Sequence, residues 1–188
     1  MTCEDDAATV VLLDDDGERQ FELVLAKGWL VHDAPDTLAV LRPASDVGWF
    51  RTNVVVSRER VDAGFDLATV MAASERHVAD VCAAVEVRGE RVASCGDASA
   101  IVRLRAFDVR DDAVRLSQLH ALLDAGIETC DVDDAVAGHD TRPARVLYQV
   151  IATCLADDAS VFHEAFVTMM GSCRVSCSPT RERTEELE

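Results

Sequence analysis

The sequence predicts an α+β fold: an antiparallel β-sheet with one principal helix packed on it. Three observations carry the expectation. Short β-branched and apolar runs, such as Asn53-Val54-Val55-Val56, recur along the chain between turns rich in Asp and Gly. One stretch, 66–83, repeats its apolar residues at three and four, the period of a helical face. Asp-Asp-Ala occurs twice, at 111–113 and 157–159, each time between strand-like runs as a hairpin turn would.

In chain order, residues 9–13 read as a strand, 14–17 as an acidic turn and 21–25 as the returning strand. Gly28 breaks the chain before Trp29-Leu30-Val31-His32, and Pro35-Asp36 turns it toward 37–41. Gly48-Trp49-Phe50 leads into a buried strand over 53–57. Asp66 is a good helix N-cap, and Leu67, Val70, Met71, Val78, Val81 and Cys82 form the apolar stripe of the helix at 66–83. Ser74 and His77 interrupt that stripe. Residues 85–93 and 101–107 follow as strands. The run 113–123 reads as strand, with a helix as the alternative because Leu116, Leu119 and Leu123 share helical spacing. The second Asp-Asp-Ala leads into an apolar alternation that reads as strand to Met170. A long loop is expected at 126–143 and a polar tail at 178–188, giving one domain over 1–177.

Composition narrows the class. With 188 residues and 49% hydrophobic content the chain can bury a core without metal or disulfide. The net charge is −17 and Lys27 is the single lysine. Such a surface repels nucleic acid and anionic lipid, so neither is expected as partner. An acidic surface kept for solubility, in an arginine-rich GC-biased composition, outweighs the reading of a basic partner. The first twelve residues hold Glu4, Asp5 and Asp6 and no basic n-region, and no run of 18 apolar residues occurs. A cytoplasmic protein that does not span a membrane is therefore expected. Seven cysteines, an odd number, then read as reduced thiols. Cys173 and Cys177 on one strand would stand ~13 Å apart, too far for a disulfide unless a turn intervenes.

The order of Phe21-Glu22-Leu23, Gly28-Trp29, Phe50 with Asn53-Val54-Val55-Val56, the helix opening at Asp66-Leu67, and Pro143-Ala144-Arg145-x-x-Tyr148 resembles the LpqN-type, PsbP-like proteins of actinobacteria over residues 18–172. The resemblance implies an antiparallel sheet with helices packed on it. It implies no activity: relatives with this fold bind other proteins, and no shared catalytic residues exist to carry over. Many relatives have a leader and end in a helix lying on the sheet. Here only 182–188 would be available for such a helix, so the expectation is an uncovered sheet face and, with it, a homodimer.

Candidate sites are few. His77 with Asp80 or Glu75 could act as a general base, but a core or rim histidine is the commoner role. His163 and Glu164 would point to opposite faces of a strand. His120 and His163 would approach if the two late hairpins paired, but a metal site would still lack ligands. The aspartates at 14–16, 111–112, 131–134 and 157–158 lack the order of a calcium loop and read as turns. Trp29, Trp49 and Phe50 are core anchors or, as the first choice for a partner contact, an exposed patch. Phosphate-loop, dinucleotide, nucleophile-elbow and zinc-protease motifs are absent from the sequence. The expectation is thus a non-enzymatic, cofactor-free protein-binding or accessory module. The alternative is a small-ligand binder or enzyme with a pocket between the helix at 66–83 and the sheet.

Overall fold

The computed structural model describes residues 8–13, 19–45, 52–94, 101–111, 114–128 and 144–177. The strands are β1 (Thr9–Leu13), β2 (Arg19–Val24), β3 (Trp29–His32), β4 (Ala39–Pro43), β5 (Asn53–Asp62), β6 (Ala84–Ser94), β7 (Ile101–Asp111), β8 (Val114–Glu128), β9 (Ala144–Leu155) and β10 (Arg174–Cys177). The helices are α1 (Leu67–Val81) and α2 (Ala159–Ser172). A large sheet runs β3-β4-β5-β9-β8-β7-β6 and a small one β1-β2-β10, with every pairing antiparallel.

The layers follow from alternation along the strands. On β9, Val146, Tyr148, Val150, Ala152 and Cys154 are buried toward one face, while Leu147 faces the other. The first face packs on Phe21 and Leu23 of β2 and on Phe166, Met169 and Met170 of α2, which makes the main core. Phe21 and Tyr148 meet there with ring centroids 5.2 Å apart. On the other face, α1 lies over β6, β7 and β8 and buries Met71 against Leu122 and Leu147. Asp66 caps α1: its carboxylate accepts from the Thr69 N–H at 3.1 Å.

The segment after Asp157-Asp158 corrects the expectation of a strand. Ala156–Asp158 form a 3-10 turn and α2 follows. Phe162, Phe166, Met169, Met170 and Cys173 recur at four, three, one and three, the spacing of a helical face. The apparent alternation came from outward-facing Val161 and Val167. Because α2 lies on the sheet, the expected lack of such a helix is corrected too: the small sheet and α2 cover this face. His163 and Glu164 accordingly sit on a helix, not on opposite faces of a strand.

Elsewhere the expectations meet the structure closely. The run from Val114 to 123 is strand, and Asp111 pairs with Val114; residues 112–113 lie outside the described residues. The expected loop at 126–143 begins later, since β8 continues to Glu128 past an irregularity between Asp124 and Ile127. Gly126 takes φ +84° there. Residues 129–143 and 178–188 lie outside the described residues.

Candidate binding site

Small residues leave a space beneath α2. Gly89, Ala106 and Leu119 stand side by side on β6, β7 and β8. A Cβ added at Gly89 or at Gly171 of α2 would meet nothing within 4 Å. The result is a half-open cavity of about 500 Å³. Its floor is Gly89, Ala106, Ser117, Leu119 and Cys154, and its wall is His163, Phe166, Val167, Met170 and Gly171 of α2. A groove of this size and lining is within the range of ligand pockets, which makes it the candidate site.

Its lining is mostly apolar, with Glu90, Ser117, Gln118 and His163 as the polar members beside Cys154. Burial, with the charge of Asp158 adding to it, pushes the Cys154 thiol up to about 11. The thiol stays protonated at neutral pH and points at the Ser117 carbonyl oxygen, 3.9 Å away. This cavity lies under α2 rather than under the helix at 66–83, where Met71 packs on Leu122 and Leu147.

A polar chain crosses the α1 side instead. His120, 3% exposed, contacts Ser74 Oγ through Nδ1 at 3.3 Å and Gln118 Oε1 through Nε2 at 3.2 Å. Gln118 Nε2 donates to Thr153 Oγ1 at 3.4 Å. Since Oε1 only accepts, Nε2 carries the proton, and Nδ1 of the neutral ring accepts from the Ser74 hydroxyl. Burial lowers the His120 pKa to about 4, which keeps the ring neutral. The Phe107 ring packs edge-on against it, with centroids 4.7 Å apart. A serine beside a neutral histidine suggests nucleophilic chemistry, but the orienting group is an amide rather than a carboxylate. The chain fastens α1 to the sheet. Ser74 thus breaks the apolar stripe of the helix because it faces His120.

The other sequence candidates disperse. His77 is exposed, off the buried stripe of α1. His120 faces α1 and His163 lines the cavity under α2, so the sheet separates them. No group of three His, Cys, Asp or Glu side chains converges among the described residues. Trp29 is a core residue, edge-on to Phe162 and Phe166 of α2 at 6.2 and 6.0 Å between centroids. Trp49 and Phe50 lie outside the described residues. Cys173 is buried and donates to the Met169 carbonyl oxygen at 3.3 Å. Asp124, which no sequence pattern singles out, and Arg145, of the Pro143-Ala144-Arg145-x-x-Tyr148 stretch, form a half-buried ion pair on β8 and β9. Asp124 Oδ1 also accepts from the Gly126 N–H at 2.9 Å, and the Arg145 guanidinium lies 5.4 Å from the Phe65 ring centroid. Among the described residues no helix is long and apolar enough to cross a membrane.

Two antiparallel sheets with a helix on either side of the larger one define a PsbP-like α+β fold. Among solved structures, LpqN from Mycobacterium tuberculosis, involved in cell envelope biogenesis, overlaps with a TM-score of 0.64 at 9% identity, over 93% of each chain. The cyanobacterial PsbP of Synechocystis sp. PCC 6803 overlaps with a TM-score of 0.56 at 14% identity, over 94% of this chain and 98% of its own. The Saccharomyces cerevisiae Ran-binding protein Mog1p reaches a TM-score of 0.49 at 11% identity, over 90% of this chain and 96% of its own. No protein-family model matches the sequence, and no curated protein matches it. The LpqN and PsbP likenesses fix the fold and leave activity to be argued from the site.

Proposed function

We propose that this chain is a non-enzymatic binding module whose receiving element is the trough between α2 and strands β6–β9. The observation that supports the reading is the trough itself. Its volume of about 500 Å³ falls in the range of ligand pockets, and its lining offers a protonated thiol in place of a nucleophile. LpqN's involvement in cell envelope biogenesis is compatible with an accessory role of this kind. The test is titration with N-phenylnaphthylamine, a neutral apolar fluorophore. Saturable one-to-one binding is expected, and Gly171→Leu should remove it by filling the trough. Equal binding to wild type and variant sinks the reading.

A protein partner is the second reading, favoured by Val161 and Val167. They are 71% and 45% exposed on the same helix that walls the trough. An apolar side chain of the partner would then occupy the trough beside Val167, while Val161 would extend the contact over the outer side of α2. Val161→Glu should weaken such a complex and leave fluorophore binding intact.

A further inference from the structure

The trough continues past α2. On the same face of the sheet lies a second, shallower cavity of about 280 Å³, lined by Glu86, Asp108, Arg110, Arg115 and Ala156 among others. Strand register sets the two in line along one strip of the sheet. Ala106 pairs with Leu119, Asp108 with Ser117, and Arg110 with Arg115. Residues two apart on a strand share a face, so these three rungs form one strip. From Leu119 to Arg115 the strip is ~13 Å long.

Its character changes along that length. The Leu119 end is apolar, and the far end places two arginines directly opposite each other, an unfavourable like-charge pair. Asp108, one rung away, is engaged by Arg88 in an ion pair. Glu86 is the remaining carboxylate at this cavity, and it faces Asp108 across β6 and β7. Among residues whose side chains are described, no ion pair joins Arg110 or Arg115 to a carboxylate. In a chain of net charge −17, two arginines at directly opposed positions of one cavity lining are placed where their guanidinium groups could converge on a carboxylate or phosphate.

We infer that the site takes an anionic amphiphile: its apolar body lies in the trough and its oxyanion head sits between Arg110 and Arg115. The inference rests on the trough reading above and adds the head group. Calorimetric titrations with laurate, with dodecyl maltoside (the same chain length on a neutral head) and with inorganic phosphate test it, each alkyl compound below its micellar concentration. Laurate should bind about tenfold more tightly than dodecyl maltoside, the scale of charge-assisted hydrogen bonds, and phosphate more weakly than either. Both arginines are exposed, so Arg110→Gln with Arg115→Gln should erase the laurate preference without changing dodecyl maltoside affinity. Glu86→Gln should strengthen laurate binding, because it removes the repelling carboxylate. Equal affinities for laurate and dodecyl maltoside overturn the head-group assignment and leave the trough standing. Phosphate binding as tightly as laurate makes the arginines an independent anion site and overturns the amphiphile. If neither alkyl compound binds, the trough reading falls and this inference falls with it.

Discussion

Among single residues, burial decides which titratable groups couple to folding. His120 has its pKa lowered to about 4 by burial, while the unfolded chain titrates near 6.5. Between those values the unfolded state holds the extra proton, so stability falls as pH falls from 6.5 and levels off below 4. The full span, at about 1.36 kcal/mol per pH unit, amounts to roughly 3 kcal/mol. Urea denaturation at pH 7 and pH 4.5 should therefore show a larger loss for wild type than for His120→Asn. Equal losses would mean that some other group governs the acid limb. The Asp124–Arg145 pair makes a second case. Asp124→Ala strands a half-buried guanidinium and a bulge N–H and should cost about 2–3 kcal/mol. In a double-mutant cycle, adding Arg145→Ala should cost less than its single effect, because the partner has already gone. Neither arrangement could be read along the chain: His120 and Ser74 are 46 residues apart, and Asp124 and Arg145 are 21 apart. The one local sign was a pair of interruptions in the apolar stripe at Ser74 and His77, of which Ser74 proved to have a partner.

Among elements, the helices differ in how openly the sequence declares them. α1 has a capping carboxylate at Asp66, which survives in the fold, and a three-four repeat of which Leu67, Val70 and Met71 pack on the sheet while Val81, expected on the stripe, is exposed. Asp66→Ala should lower its stability by about 1 kcal/mol in thermal or urea unfolding. α2 was hidden by its own composition. Valines at 161 and 167 and an Asp-Asp-Ala shared with a true hairpin favoured strand locally, while burial of Phe162, Phe166, Met169 and Met170 against the sheet favours helix. Tertiary packing won, as it does when a weak propensity meets a large apolar face. Missing α2 meant misplacing the site, since the trough exists only as the gap between that helix and a floor of small residues. Gly171→Leu should report on both roles together. It should raise the melting temperature, leucine being better by up to about 1 kcal/mol within a helix, and remove fluorophore binding. A variant that is stabilised yet binds as before would place the ligand elsewhere.

At the scale of the molecule, β2 is the central strand of the small sheet, pairing with β1 on one side and β10 on the other, and Phe21 and Leu23 on it pack against the large sheet. The Val24 N–H donates to Ser172 Oγ at 2.8 Å, which fixes the end of α2 to the same strand. Deleting 174–177 should leave one edge of β2 bare, and its amides should then exchange with solvent much faster in hydrogen-exchange measurements. Unchanged protection of β2 would mean that β10 adds little. The arrangement also sets a timetable for a nascent polypeptide. Phe21 and Leu23 emerge from the ribosome early, but the helix and strand that shelter them are made some 150 residues later, at ~5–20 residues per second. For those seconds β2 waits without its cover, and its assembly is held back until α2 and β10 have been made.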